Sequence, residues 1–242
     1  MSRSDCPRCG GRRPPGEAWP ALCPSCLLAT ALATGSDREE SSSDLDPSPY
    51  HIVTLLARDA NAVTYLAHRP GTPEHIALKV IAGCDAAAIV ARFDDWKNAL
   101  ACARHPNIAR LIDVGHATGG GVYVVSEYVT GRSLDLLARR GTLATAERLE
   151  IVRQVALALE DMHTRGLAHM KLHPSRIKIA MTTGIHVTLL GFGTRLVVDG
   201  AAPQPDLDVR MLTEMCGDLG VDLPPPPPLT MAAIRAALAD GV

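Results

Sequence analysis

The sequence predicts an α+β fold with two lobes, and three observations support this prediction. Strand-like segments follow one another from Tyr50, with turn residues between them. After Thr130 apolar residues recur at three- and four-residue intervals, as on the buried face of a helix. The chain has 242 residues, 47% of them hydrophobic, and can therefore bury a substantial core. A mostly β half followed by a mostly helical half is typical of the α+β class.

The first element is a cysteine-containing segment, residues 1–32. Its two C-x-x-C pairs, Cys6 with Cys9 and Cys23 with Cys26, are separated by 13 residues. Two such pairs can supply the four thiolates of a tetrahedral Zn²⁺ site, and four cysteine ligands leave no open position for water. We therefore predict a structural zinc ribbon, with a redox dithiol or unmetallated cysteines as the alternatives. Residues 33–49 are polar and rich in Pro and Ser, which is typical of a flexible linker.

Residues 50–129 are expected to form the β-rich lobe. Three strands are predicted in YHIVTLLA, AVTYLAHR and HIALKVIA, and the short turns between them favour an antiparallel sheet. A helix around residues 91–103 and two further strands, IARLIDVGHA and GVYVVSEYV, complete this lobe.

Residues 130–242 are expected to form the helical lobe. Its main helix is TAERLEIVRQVALALEDMH, and one face of that helix is predicted to be buried. The residues of this face are Leu149, Val152, Val155, Ala156, Leu159 and Met162. Near the end, Pro224 to Pro228 predict a short polyproline II segment, and MAAIRAALAD predicts a last short helix.

The net charge and the start of the sequence indicate which binding partners and which cellular compartment we expect. A net charge of −2 and a pI near 6.5 give no general reason to expect nucleic acid or an anionic membrane as a partner. The arginines beside the first cysteines could contact nucleic acid, but without interleaved aromatics a solvated basic rim is favoured. No apolar run approaches the roughly 20 residues of a membrane span. The start lacks the apolar core of a signal peptide, so we expect a cytoplasmic protein.

From Tyr50 to about residue 216 the order of motifs resembles the protein kinase family, especially the bacterial serine/threonine kinases. The phrases that carry the resemblance are YHIVTLLA, IALKVIA, RHPNIARLIDVG, YVVSEYVTGRSL and GLAHMKLHPSRIKIAMTTGIHVTLLGFG. A cysteine ribbon ahead of the domain also resembles an arrangement seen in bacterial kinases. The resemblance implies a small β-rich lobe with one major helix, a hinge, and a larger helical lobe.

At the catalytic positions the chain departs from the family pattern. The resemblance places Lys171 where the family has its carboxylate base, and an ammonium with a pKa near 10.4 is a poor proton acceptor at neutral pH. Arg176 takes the place of the asparagine that binds Mg²⁺, and Gly191 takes the place of the metal-binding aspartate. Trp96 falls where the family has the glutamate that pairs with the conserved lysine. The glycine-rich loop is also changed, because its three glycine positions fall on Ala57, Asp59 and Ala62.

A vestige of the nucleotide pocket is implied by five residues. They are Lys79, which matches the phosphate-binding lysine, Val63 and Ala77, which match the apolar ceiling, and Glu127 and Val129 of the hinge. The apolar floor position is Lys178, and a buried ammonium there would make a stacked adenine costly unless the side chain snorkels out. These changes argue against ATP and Mg²⁺ as cofactors but do not exclude them.

The framework of the family is better preserved than its chemistry. Leu100, Leu111, His169 and Phe192 match four stacked side chains that connect the lobes of kinases. Asp208 resembles the aspartate that anchors the catalytic loop, and His163 is expected to be a packed or capping histidine. Few residues follow Gly191 and no A-P-E-like motif is visible, so we expect a truncated lower lobe.

These features predict a catalytically inactive pseudokinase that acts as a scaffold or allosteric partner of an active kinase or another signalling protein. Two alternatives remain open. One is an ATP-binding kinase-like enzyme or nucleotide transferase with nonstandard catalytic residues around Lys79. The other is a nucleic-acid-binding zinc ribbon attached to an inert body.

Overall fold

The computed structural model describes residues 50–58, 60–69, 71–117, 121–182, 184–223 and 230–239, all within one compact unit, Leu45–Val242. The predicted zinc ligands Cys6, Cys9, Cys23 and Cys26 lie outside the described residues, as does the predicted linker. Asp59 and the five consecutive prolines also lie outside them.

The first half of the described chain forms an antiparallel five-stranded sheet, as predicted. Its spatial order is β1-β2-β3-β5-β4, so sequential neighbours pair except where β5 comes between β3 and β4. The strands are β1 His51–Arg58, β2 Ala62–His68, β3 His75–Ile81, β4 Leu111–Ala117 and β5 Gly121–Glu127.

The two faces of β3 lie in different surroundings because side chains alternate along a strand. Ile76, Leu78 and Val80 are buried and belong to a small core on one side of the sheet. Ala77 and Lys79 lie on the other face and are half-buried. This second face is the one that the helical part of the chain approaches, since Val124, the partner of Lys79 on β5, belongs to the main core.

Helix α1, Ala86–Cys102, follows the third strand and packs beside the sheet. It begins earlier than predicted because Asp85 caps it: its carboxylate accepts a hydrogen bond from the Ala88 backbone N–H at 3.0 Å. The helix buries Ile89 and Leu100 in the main core.

The second half of the described chain is mainly helical, with a small three-stranded sheet of order β6-β7-β8. Its elements are β6 Arg132–Ser133, α2 Leu134–Arg139, α3 Thr145–Thr164, a 3₁₀ turn Pro174–Arg176, β7 Ile177–Met181, β8 Ile185–Leu189, α4 Thr194–Val197, α5 Pro205–Asp218 and α6 Met231–Ala239. The α+β prediction is therefore confirmed.

The long helix α3 is the centre of this half. Five of the six residues of its predicted buried face are buried, and Leu149 near its start is half-buried. The last helix, α6, packs on α3 through Ile234, which is fully buried. An ion pair of 2.9 Å between Arg235 and Glu160 joins the same two helices at the surface. None of the described helices is both long and apolar enough to cross a membrane.

Candidate functional site

The loop that begins at His169 is held in place by a buried carboxylate. Asp208 on α5 is fully buried, and its two oxygens accept hydrogen bonds from the backbone N–H groups of His169, at 2.7 Å, and Met170, at 2.6 Å. His163 at the end of α3 donates a third bond to Asp208 through Nε2, at 3.0 Å. These contacts bring together residues 39 and 45 positions apart in the chain. Asp208 therefore has the anchoring position that the resemblance implied.

The imidazole of His169 links this loop to the strand end at Leu190. Its Nδ1 accepts the backbone N–H of Lys171 at 3.2 Å, so Nε2 carries the proton that is donated to the Leu190 carbonyl at 3.0 Å. Burial lowers the pKa of His169, which favours this neutral form. The ring also packs edge-on against Phe192, with centroids 6.1 Å apart.

A strained backbone position presents Lys171 to solvent. Met170 has φ of 57° and is the one non-glycine residue in the left-handed region among the residues that the structure describes. Its side chain is buried, whereas Lys171 is exposed. The position predicted for the missing base is therefore an accessible ammonium on a firmly held loop.

Arg176 and Gly191 lie directly against each other. A side chain at residue 191 would start 2.7 Å from Nη1 of Arg176, and Gly191 has φ of +81°. The backbone holds this arrangement, because the Leu190 N–H donates to the Arg176 carbonyl at 2.7 Å. The guanidinium therefore lies where the first atoms of a side chain at residue 191 would be.

The predicted nucleotide-binding residues are divided between the two faces of the sheet. Directly paired residues of antiparallel strands share a face. Lys79 pairs with Thr64 and Ala77 pairs with Leu66, whereas Val63 pairs with Val80 on the opposite face. The prediction that Val63 forms the ceiling beside Ala77 is therefore wrong, and Thr64 and Leu66 are the β2 residues on that face.

The hinge residues Glu127 and Val129 line a cavity of about 680 Å³. Leu66, His75 and Thr188 also line it, but Lys79, Ala77 and Lys178 do not. The Glu127 carboxylate accepts hydrogen bonds from Arg110, through its backbone N–H at 3.1 Å and its side chain at 2.5 Å. The cavity is therefore a groove at the hinge that does not include the predicted phosphate-binding lysine.

Lys178 extends toward the hinge instead of ending in the core. Its Nζ donates to the carbonyl of Gly131 at 3.4 Å, at an exposed position. Gly131 comes close to the strand that carries Lys178, because an added Cβ would lie 2.7 Å from the Ile179 carbonyl oxygen. The ammonium thus avoids burial.

Helix α1 presents an indole where the resemblance implies a carboxylate. Trp96 is half-buried and packs against the main core. The acidic neighbours Asp94 and Asp95 are exposed, and Asp94 pairs with Lys97 at 2.9 Å.

An arginine that sequence reasoning missed links α1 to the segment after Gly193. Arg92 donates from Nε to the Val197 carbonyl at 2.8 Å and from Nη2 to the Val198 carbonyl at 2.9 Å. These carbonyls lie at the end of the short helix α4, where a cation is favoured. Gly193 makes a second close contact, because an added Cβ would lie 2.8 Å from Leu100 on α1. Nothing local in the sequence indicates contacts over such separations.

Residues 162–198 contain no Asp or Glu. The sequence alone therefore shows that this segment has no carboxylate to offer as a ligand. The described residues contain no cluster of three or more His, Cys, Asp or Glu side chains that could hold a metal ion.

Comparison with known proteins identifies the family. The model of the protein kinase domain matches residues 50–218, which is more than half of the chain. The chain belongs to the protein kinase family.

Relatives include serine/threonine-protein kinases of several bacteria. The chain is 28% identical over 163 residues to serine/threonine-protein kinase pkn3 of Myxococcus xanthus, covering 65% of this chain and 30% of that protein. It is 31% identical over 108 residues to the probable serine/threonine-protein kinase PknB of Lactococcus lactis, covering 44% of this chain and 17% of that protein. The chain thus spans less than a third of the length of these two relatives.

The fold is also similar to a solved bacterial kinase domain. A crystal structure of the Mycobacterium tuberculosis PknI kinase domain superposes with a TM-score of 0.57 and 26% sequence identity. The alignment covers 83% of this chain and 87% of that domain. The predicted kinase-like fold is therefore confirmed.

Within this family, ATP is used together with Mg²⁺ held by the catalytic-loop asparagine and an aspartate. The residues present here do not fit that metal. Gly191 has no side chain to offer as a ligand, and the guanidinium beside it is a cation that would repel a divalent ion. The kinase fold is retained at this site. The family has one negative charge at these two positions, from the aspartate, whereas this chain has one positive charge, from Arg176.

Proposed function

We propose that the protein is a pseudokinase, a kinase domain without phosphoryl-transfer activity, that acts as a scaffold or allosteric partner. Its partner would be an active kinase or another signalling protein of the cytoplasm. The function would then be carried by the surface of the folded domain and not by chemistry in the cleft.

The contact between Arg176 and Gly191 is the observation that carries this proposal. The guanidinium Nη1 is 2.7 Å from the point where a side chain at residue 191 would begin. Both positions that bind metal in the family are changed here, and the positive charge of Arg176 at one of them contacts Gly191 at the other. Phosphoryl transfer depends on neutralising phosphate charge while the attacking hydroxyl is oriented, and Lys171 offers no carboxylate for the second task.

A transfer assay tests the proposed inactivity. The full chain is incubated with labelled ATP, Mg²⁺ or Mn²⁺, and general protein substrates, with an active bacterial serine/threonine kinase as positive control. We expect no transfer to the substrates or to the chain itself. Metal-dependent transfer that disappears in Lys79→Ala would overturn the proposal, because a contaminating kinase would not respond to that substitution.

A partner experiment tests the scaffold role. The tagged full chain is recovered from its native cell, together with Lys171→Ala and an Arg176→Ala variant. A surface-acting protein should retain the same specific partner in all three samples, because the proposed role does not depend on the charged groups of the cleft. Absence of a partner specific to the chain would contradict the role.

The zinc ribbon is part of the same proposal. Cys6, Cys9, Cys23 and Cys26 would bind one structural Zn²⁺, whose binding energy would stabilise a segment too short for a large core of its own. Metal analysis of the purified chain should find one zinc per chain, and a Cys6→Ser and Cys23→Ser double variant should lose it. Retention of zinc in that variant would exclude this ligand set.

One observation favours a second candidate, an ATP-dependent transferase with nonstandard catalytic groups. Because the Lys178 ammonium donates to the Gly131 carbonyl at an exposed position, the floor position does not hold a buried charge. The transfer assay separates the two candidates, since only the transferase would consume ATP.

A further inference from the structure

Three histidines form a row across the first three strands of the five-stranded sheet. His51 on β1 pairs directly with His68 on β2, and His68 pairs directly with His75 on β3. Directly paired residues of antiparallel strands share a face, and their Cβ atoms are about 4.5–5.5 Å apart. The three imidazoles therefore project from the same side of the sheet, and neighbours in the row are close enough to contact the same small ligand.

The rings of His68 and His75 are in contact with each other. Their centroids lie 4.4 Å apart, and their planes are inclined by 43°, so the rings are tilted and not stacked flat. Nδ1 of His68 is shielded from solvent and has no hydrogen-bond partner among the described residues. A shielded polar nitrogen without a partner costs free energy, so a ligand that binds its lone pair would stabilise the protein.

The surroundings of this histidine pair favour a cation as the ligand. His75 is exposed and lines the cavity at the hinge together with Glu74, and no lysine or arginine among the described residues lines that cavity. Glu74 forms no ion pair with any described residue. Arg69, which follows His68, interacts electrostatically with Tyr50 of the small core on the opposite face. Lys79 shares the face of His75 but lies four residues along the strand, about 13 Å away.

We propose that His68 and His75 form a binding site for a divalent transition-metal ion of the class of Zn²⁺, Ni²⁺ and Cu²⁺. Neutral imidazole is a common ligand of these ions, whereas Mg²⁺ prefers oxygen ligands. The pair supplies two protein ligands, in keeping with the absence of a three-residue cluster from the described part of the chain, and water takes the other positions. The inference goes beyond the proposed scaffold role and does not depend on it.

A purely structural role for the same residues makes a different prediction. His75 also approaches Tyr128, with ring centroids 6.3 Å apart, so the three rings form a small aromatic cluster beside the hinge. A cluster that only packs has no affinity for a metal ion. Metal binding that depends on the histidines therefore distinguishes the two roles.

The experiment is a calorimetric titration of the full chain with Ni²⁺. The chain is first loaded with Zn²⁺, which would fill the predicted cysteine site, and a weak chelator removes loosely held zinc. We expect one Ni²⁺ to bind per chain. His75→Ala, at an exposed position, and His68→Ala should each weaken binding by about tenfold or more, because losing a ligand costs at least as much as losing an outer partner of a ligand. Mg²⁺ should give no binding that responds to these substitutions.

His116→Ala is the matched control, because His116 is an exposed histidine on β4 of the same sheet, outside the row. It should bind Ni²⁺ like the wild type. His51→Ala should weaken binding by less than His75→Ala, because His51 lies on the other side of His68. Nickel held by the cysteines would be insensitive to all of these substitutions. Absence of binding to the wild type, or a loss in His51→Ala or His116→Ala equal to that in His75→Ala, would overturn the inference.

A spectroscopic measurement identifies the ligand atoms directly. Zinc-loaded chain with one equivalent of Cu²⁺ should show nitrogen hyperfine coupling in its electron paramagnetic resonance spectrum, and the coupling should change in His68→Ala. Identical spectra of the wild type and His68→Ala would overturn the assignment. Failure of the metal site would leave the pseudokinase proposal standing, whereas phosphoryl transfer would overturn that proposal and leave the metal site standing.

Discussion

The anchor of the loop matches the family pattern, whereas the chemical positions on the same loop do not. In the anchor, Asp208 and His169 are fully buried, and each of their polar atoms has a specific hydrogen-bond partner. At the chemical positions, Lys171 is exposed, Arg176 is half-buried and Gly191 has no side chain. The difference teaches that the shape of a catalytic loop depends on a buried network, which can persist after the groups that perform the chemistry have been replaced.

The largest effect should come from breaking the anchor itself. Asp208→Ala removes the acceptor of three hydrogen bonds in a fully buried place. We expect the free energy of unfolding to fall by about 3–5 kcal/mol, because buried donors are left without partners. Urea unfolding followed by circular dichroism measures this loss of unfolding free energy. Asp206→Ala removes an exposed carboxylate from the same helix and should cost less than about 1 kcal/mol; similar losses in the two variants would contradict the anchoring role.

The second-largest loss of stability should come from breaking the link between α1 and α4. Arg92→Ala removes two hydrogen bonds from the carbonyls of Val197 and Val198, and we expect a loss of about 1–3 kcal/mol. Hydrogen exchange should show reduced protection concentrated in residues 194–201. Lys97→Ala on the same helix breaks only an exposed pair and should cost about 0.5 kcal/mol or less. Unchanged exchange in Arg92→Ala would show that the contact does not hold α4.

A smaller effect should appear in the pH dependence of stability. Burial lowers the pKa of His169 in the folded state, so the unfolded state binds more protons below its ordinary pKa of about 6.5. The contribution of His169 is therefore fully present above this pH and is lost as the pH falls below it. The slope is at most about 1.4 kcal/mol per pH unit for one group. Unfolding free energies from pH 8 to pH 5 should show a shallower slope in His169→Phe; an unchanged slope would contradict this assignment.

The smallest change of stability should come from substituting Lys171, the chemical position on the same loop. Lys171→Ala removes an exposed ammonium that forms no ion pair with any described carboxylate. We expect the unfolding free energy to change by less than about 0.5 kcal/mol. Thermal and urea unfolding of Lys171→Ala and Asp208→Ala, measured side by side, give the direct comparison. A loss approaching that of Asp208→Ala would mean that anchor and chemistry are not separable.

Much of the fold could be predicted because its signals are local. The strands of the first half have alternating side chains and short turns, and the buried face of α3 follows from its helical spacing. Asp208 and His163 were placed by resemblance and packing, but their shared hydrogen bond could not be predicted from a spacing of 45 residues.

The incorrect and missing predictions at the site concern the pairing of strands and the positions of long side chains. Alternation alone does not say which face of β2 looks toward Lys79; the register with β3 decides this, and it places Val63 on the other face. The sequence allowed Lys178 to point inward or outward, because the position of a flexible ammonium depends on an acceptor such as the Gly131 carbonyl. The substitutions at residues 176 and 191 were visible separately, whereas their contact was not.

That contact makes the loss of the metal site difficult to reverse by mutation. An aspartate restored at residue 191 would have to adopt a left-handed backbone and would meet the Arg176 guanidinium, forming an internal ion pair in place of a metal ligand. An asparagine restored at residue 176 would face a glycine and gain no carboxylate. Neither single substitution gives a pair of metal-binding side chains at these positions. Residues 176 and 191 are therefore coupled, and only the double variant with Arg176→Asn and Gly191→Asp would place two oxygen-bearing side chains together at these positions.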